Sequence, residues 1–220
     1  MSIVPGAFVE LLNLPEEIQP EWAAWYDENV LKTRAQIPGV YFSRRTTGLI
    51  GSVQNLVVYD LSNFTLPYSK EWAEADQAIA LDNPAPPAVA EALEGMRQVA
   101  YRQIFSMEDG PYEPLDTAVL HCATFEVPSL YQDEFNDWYN TEHVEFVKTV
   151  DGYLNCRRYQ GVEDIHKFIA LYDVVELANS EAKDVHPNNF TPWAVRARAK
   201  LPTFRERRVF GVQQRIRGTR

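Results

Sequence analysis

The feature that most constrains this chain is an internal match at a fixed distance. The stretch "WYDENVLKTRAQIPGVYFSRR", Trp25 to Arg45, lies without a gap on "WYNTEHVEFVKTVDGYLNCRR", Trp138 to Arg158, at an offset of 113 residues. The same offset sets "NLVVYDL", Asn55 to Leu61, on "FIALYDV", Phe168 to Val174, so that Tyr59 falls on Tyr172 and Asp60 on Asp173. An offset that survives an intervening loop points to a duplicated module rather than to chance.

Each half repeats one order of signals. In the second, "TAVLHCATFEV" predicts a strand, and "SLYQDEFNDWYNTEHVEFVKTV" an amphipathic helix with Ser129 as its N-cap. Gly152 ends that helix, "YLNCRRY" and "KFIALYDVV" predict strands, "TPWAVRARAKL" a short helix and "TFRERRVFGVQQRI" a last strand. The first half matches with "GAFVELLNL", a helix from Glu21 to Gln36, "VYFSRR", "QNLVVYDL", a helical region across "YSKEWAEADQAIA" and "MRQVAYRQIFS", plus a proline-rich insert, "DNPAPPAVAEALEG". The order βαββαβ is that of a ferredoxin-like layer, whose bare sheet face needs an apolar cover. The expected fold is therefore α+β, two tandem ferredoxin-like βαββαβ repeats packed sheet to sheet as an intramolecular barrel with helices outside. The expected domains are residues 1–110 and 111–220, divided within Ser106 to Asp116, which is rich in acid, glycine and proline.

Composition narrows the partners. An apolar content of 45% supplies a core, and a net charge of -10 disfavours nucleic acid and anionic membrane as partners. No apolar run approaches about 18 residues, and "MSIVPGAFVELLNL" lacks a basic flank and small-residue cleavage site, so a cytoplasmic location is expected. Cys122 and Cys156 form no CxxC pair and are expected to be buried small hydrophobes. His121, His143, His166 and His186 show no HExxH or paired Cys/His spacing, so no metal site is expected. GxSxG, P-loop and dinucleotide glycine patterns are absent from the sequence.

The pair Glu142–His143 then stands out. Phe135, Trp138, Tyr139, Glu142, His143, Phe146, Val147 and Val150 recur at spacings of three and four, one inward stripe. A charge there needs a partner or a task. On one reading, Glu142 and His143 bond sheet groups such as Tyr172 or Arg158 and fix the helix. On the other, His143 faces a pocket and transfers a proton, with Glu142 or a tyrosine setting its tautomer. Asn29 and Val30 occupy the corresponding places in the first half, as though one site had been kept. Tyr139, Tyr159, Tyr172 and Trp138 suit the walls of a flat aromatic ligand or an ordinary core. His121 is a second proton carrier if its strand face meets the pocket. Arg157 and Arg158 point to opposite sides of a strand; one could hold a substrate oxygen, but Arg44 and Arg45 at the same places favour a structural role for at least one.

The run "FNDWYNTEHVEFVKTVDGYLNCRRYQ" with "FIALYDVVEL" after it resembles the dimeric α+β barrel superfamily, in particular its EthD-like branch, with its W-Y-x-x-E-H, R-R-Y and A-L-Y-(D/E) elements. Asp151 stands where the family pattern has proline, which the first half keeps at Pro38. The superfamily includes cofactor-independent monooxygenases, polyketide cyclases, muconolactone isomerases, ether-degradation accessory proteins and haem enzymes, so the resemblance implies the fold more than the reaction. It leaves a haem held by one histidine open, although no local feature asks for it. The expectation is a cofactor-independent lyase, isomerase or cyclase acting on a small aromatic or polyketide-like substrate. His143 and Glu142 would be catalytic, with Tyr139, Tyr172, Arg158, Trp138 and His121 binding substrate. The alternatives are a non-catalytic binding or accessory protein and a cofactor-independent monooxygenase. Either a monomer or a homodimer is compatible with the internal pairing.

Overall fold

A computed structural model describes residues 4–108, 115–201 and 205–218. The sequence-based boundary between residues 110 and 111 lies outside the described residues, as do Thr203 and Phe204 of the last expected strand. Eight strands, β1 (Gly6–Leu12), β2 (Val40–Ile50), β3 (Asn55–Leu61), β4 (Arg97–Ser106), β5 (Val119–Glu126), β6 (Tyr153–Gly161), β7 (Lys167–Val174) and β8 (Arg205–Arg217), carry the fold. Their order is β1, β3, β2, β8, β5, β7, β6, β4, a closed barrel, so the architecture is the expected α+β one. By contacts the chain divides into two compact units, Met1–Gly48 with Ser52–Arg102 and Val212–Arg220, and Leu49–Gly51 with Gln103–Gly211.

The offset of 113 extends from sequence to hydrogen bonding. In the first unit Gly6 pairs with Leu61 and Phe8 with Tyr59; in the second Val119 pairs with Val174 and His121 with Tyr172. Register breaks fall between Val40 and Phe42 and between Tyr153 and Asn155, again corresponding places. The turn glycines Gly39 and Gly152 both have positive φ, 97° and 80°. A Cβ at Gly152 would collide with the Asn179 side chain. A buried ion pair is repeated as well: Arg44 Nη2 to Asp60 at 3.1 Å, and Arg157 Nη2 to Asp173 at 3.4 Å. Arg157 is thus a sheet-stabilising group.

The helices depart from the regular pattern. The first comprises α1 (Gln19–Trp25), a π-helical segment (Tyr26–Leu31) and α2 (Lys32–Ala35); α3 (Lys70–Asp82) and α4 (Pro87–Leu93) complete the same unit. In the second unit α5 (Gln132–Trp138), a π-helical segment (Tyr139–His143) and α6 (Val144–Val147) replace the single helix expected. A π turn takes an extra residue and rotates the next helical turn about the axis. Val144 is therefore buried and Glu142 only half-buried, which corrects the inward placement of Glu142. Ser129 is not the cap: it opens a 3₁₀ turn, Ser129–Tyr131, and its Oγ lies 3.0 Å from His166 Nε2.

One helix goes beyond the sequence-based expectation. Leu177–Val185 forms α7 ahead of α8 (Pro192–Ala199), and a reciprocal cap of Glu176 with Asn179 starts it. The second unit's core runs through Phe125, Phe135, Val147, Cys156, Phe168 and Val209. Cys122 and Cys156 are fully buried, and burial pushes the Cys156 thiol up to about 12.

Candidate functional site

The π turn decides which side chains of the second unit meet. It brings Tyr139 and His143 to the same side, with ring centroids 4.7 Å apart at an interplanar angle of 72°. Trp138 packs on His143 at 5.1 Å, and His143 is 5% exposed. From the sheet, β7 presents Tyr172, whose hydroxyl bonds that of Tyr139, and β5 presents His121 with its ring 5.1 Å from that of Tyr172. His121 Nδ1 is 2.7 Å from the Tyr153 hydroxyl. His121, Trp138, Tyr139, His143 and Tyr172 line one cavity. It measures about 20 Å³, room for about one water molecule.

Two expected members sit elsewhere. Glu142 Oε1 accepts from Trp138 Nε1 at 3.0 Å and from Thr191 Oγ1 at 2.5 Å. Its carboxylate thus orients the tryptophan that packs on His143 and ties the helix to the start of α8. Arg158 Nη2 donates to Asn136 at 2.8 Å and Nη1 to Asn140, while its guanidinium lies 4.1 Å from the centre of the Tyr139 ring. Burial lowers the Arg158 pKa from its ordinary value. Arg158 therefore acts on the site through Tyr139, as Arg45 holds Asp27 at 2.6 Å at the corresponding place.

Sequence reasoning missed the far wall. Lys183 on α7 and Arg198 on α8 line the same cavity. Lys183 is 5% exposed and lies 5.8 Å from the Tyr172 ring and 3.9 Å from Asp184 Oδ1. Arg198 covers Trp138 at 5.2 Å and donates to Asn189 Oδ1 at 2.5 Å. The available signal was Glu176 with Asn179 three residues later, a cap written in unusual residues.

The proton inventory comes from burial. Removal from water, then the neighbouring Tyr139, raises the Tyr172 phenol well above its usual range. Tyr172 therefore keeps its phenol proton well into the alkaline range. His121 and His143 bring to the cavity the side-chain type whose ordinary pKa lies closest to neutrality. Among the described residues no group of three or more His, Cys, Asp and Glu could hold a metal ion.

No family model and no curated protein matches the chain. Solved structures do. An anthrone oxidase-like protein covers 98% of this chain and 94% of its own, at 14% identity and a TM-score of 0.72. A candidate monooxygenase from Fusobacterium nucleatum covers 100% and 98%, at 12% identity and 0.70. Another from Lactobacillus acidophilus covers 97% and 96%, at 12% identity and 0.60. At such identities the likeness establishes the fold: this chain has the architecture of those barrel proteins.

Proposed function

We propose that the chain is a cofactor-independent enzyme that moves a proton on a small aromatic or polyketide-like substrate, with His143 as the acid–base group. The observation that carries this reading is the convergence of two buried imidazoles, His121 and His143, with the Tyr139–Tyr172 hydroxyl pair on one cavity. His143 takes the proton of a C–H or O–H acid, and the electron pair stays on the substrate as an enolate or phenolate. The Lys183 ammonium and the Tyr172 hydroxyl offset that charge in a buried site, where fixed donors act most strongly. Return of the proton to another atom completes an isomerisation; elimination or ring closure from the same anion gives a lyase or cyclase. Glu142 positions rather than transfers, through Trp138. Since the cavity holds about one water, a ring-sized substrate enters by displacing side chains of the far wall, Lys183 and Arg198.

A second reading is a cofactor-independent monooxygenase, in which the same anion meets dioxygen. The monooxygenase and anthrone oxidase-like descriptions of the solved relatives favour it. A third is a binding or accessory protein of the EthD type, favoured by the small size of the cavity, about 20 Å³, which leaves no preformed room for a substrate. We further propose an origin by fusion of two modules, residues 1–110 and 111–220, on the shared register at an offset of 113.

Incubation with a panel of phenols and enolisable acids, with and without oxygen, separates the readings. Turnover without oxygen that His143→Ala abolishes at unchanged melting temperature supports the acid–base enzyme. Turnover confined to oxygenated buffer supports the monooxygenase. Saturable binding without chemistry supports the accessory protein, and a melting loss with unchanged turnover returns His143 to a structural role.

A further inference from the structure

The first unit holds a wider pocket over the corresponding part of its own sheet, of about 300 Å³. That is about twice a cavity that takes up benzene. Its walls are apolar, including Trp25, Val30, Ile79, Leu93 and Met96, and its floor is charged. Glu10 on β1 is fully buried, and its Oε1 accepts from Arg34 Nη1 and from Gln98 Nε2, each at 2.8 Å. Oε2 accepts from the Tyr26 hydroxyl, which lies 2.7 Å from that of Tyr59. Arg34 Nε donates to Asp76 Oδ1 at 2.8 Å, at the half-exposed rim.

The second unit provides an internal control. At the offset of 113, Tyr26 and Tyr59 correspond to the bonded pair Tyr139 and Tyr172, whereas Glu10 and Arg34 correspond to Ala123 and Val147. The same backbone therefore packs without the ion cluster, and burying one carries a desolvation cost that its mutual attraction need not repay. The acceptors that line the pocket are Tyr26 Oη and Asp76, and the Arg34 guanidinium beside them is held by Glu10, Asp76 and Tyr59. Tyr26 Oη donates its proton to Glu10, and Asp76 is a carboxylate; the Nε and Nη1 donors of Arg34 are committed to Asp76 and Glu10. Two carboxylates against one guanidinium leave the pocket one charge negative.

We propose that this pocket is a second ligand site, distinct from the His143 cavity, for an uncharged ring-sized molecule that carries a hydroxyl or amino donor, and that it rejects carboxylates of the same size. The donor meets Tyr26 Oη or Asp76, and the ring lies against Trp25 and Met96.

Binding of three probes on one ring system, 2-naphthol, 2-naphthylamine and 2-naphthoate, to the whole protein at pH 7 tests it by calorimetry. The naphthol and the amine should bind at least about tenfold more tightly than the acid, because the anion faces uncompensated negative charge. Asp76→Asn, at the rim, should narrow that gap, and Ala85→Trp, which fills the pocket wall, should abolish binding at unchanged melting temperature. His143→Ala should leave naphthol binding unchanged. Equal affinity for the acid, binding indifferent to Ala85→Trp, binding lost in His143→Ala, or no binding of any probe would overturn the proposal. Binding lost in His143→Ala would move naphthol to the His143 cavity, whereas turnover at His143 is read by its own assay, so failure of this proposal leaves that reading standing.

Discussion

The two units share a scaffold and differ in what they bury. Register, strand irregularity, turn glycine, Arg–Asp pair and tyrosine hydroxyl pair recur at one offset. Over that scaffold the first unit places a carboxylate and a guanidinium under a wide apolar pocket, and the second places two imidazoles and an ammonium around a space for one water. The shared features build the scaffold, and the unshared ones, Glu10 and Arg34 on one side and His121 and His143 on the other, are what set our two proposed sites apart.

The strongest way to break this comparison is to give the first unit the second unit's residues. Arg34→Val alone strands the fully buried Glu10 and should cost roughly 3–5 kcal/mol in urea unfolding. The double variant Glu10→Ala with Arg34→Val, matching Ala123 and Val147, should cost clearly less than the sum of the single changes. Additive costs would mean that the cluster is not one unit.

Alkaline pH gives the next effect. Burial raises the Tyr26, Tyr59 and Tyr172 phenols above their ordinary value near 10. The folded state then holds protons that the unfolded chain releases. The stability this provides is complete below about pH 10 and falls as pH rises toward the folded-state pKa, by up to about 1.4 kcal/mol per pH unit per tyrosine. Urea melts between pH 9 and 11, with phenolate absorbance, check it; all the tyrosines titrating normally in native protein would refute the burial argument.

The fold was legible because a constant offset constrains strand order and pairing together, and periodicity survives in β3 and β7 as two-sided apolar runs. The lining of the candidate cavity was legible at His143 and at the tyrosines, since a polar residue in an apolar helix stripe is conspicuous. Glu10 was not: a single glutamate in "GAFVELLNL" reads as an outward strand position, and only the burial of both strand faces makes it internal. Glu142 was misplaced because a π turn leaves no mark in residue spacing. Lys183 was missed with its helix.

Smaller tests sharpen the shared part. Tyr59→Phe removes one hydroxyl from the first pair and should cost on the order of 1 kcal/mol, with Tyr172→Phe alike. A much larger loss in one unit would show that the pairs are not equivalent. Glu142→Ala should cost about 1 kcal/mol or less, and change the tryptophan fluorescence, because its carboxylate is half-buried and bonds Trp138 and Thr191.

The central claim, proton transfer by the second unit's imidazole, is tested most directly by exchange. Wild-type protein in heavy water should wash deuterium into enolisable aromatic ketones, and His143→Gln should slow this by about 100-fold or more while melting at the same temperature. Exchange at the wild-type rate in His143→Gln, or a slowing that merely tracks lost stability, would contradict it.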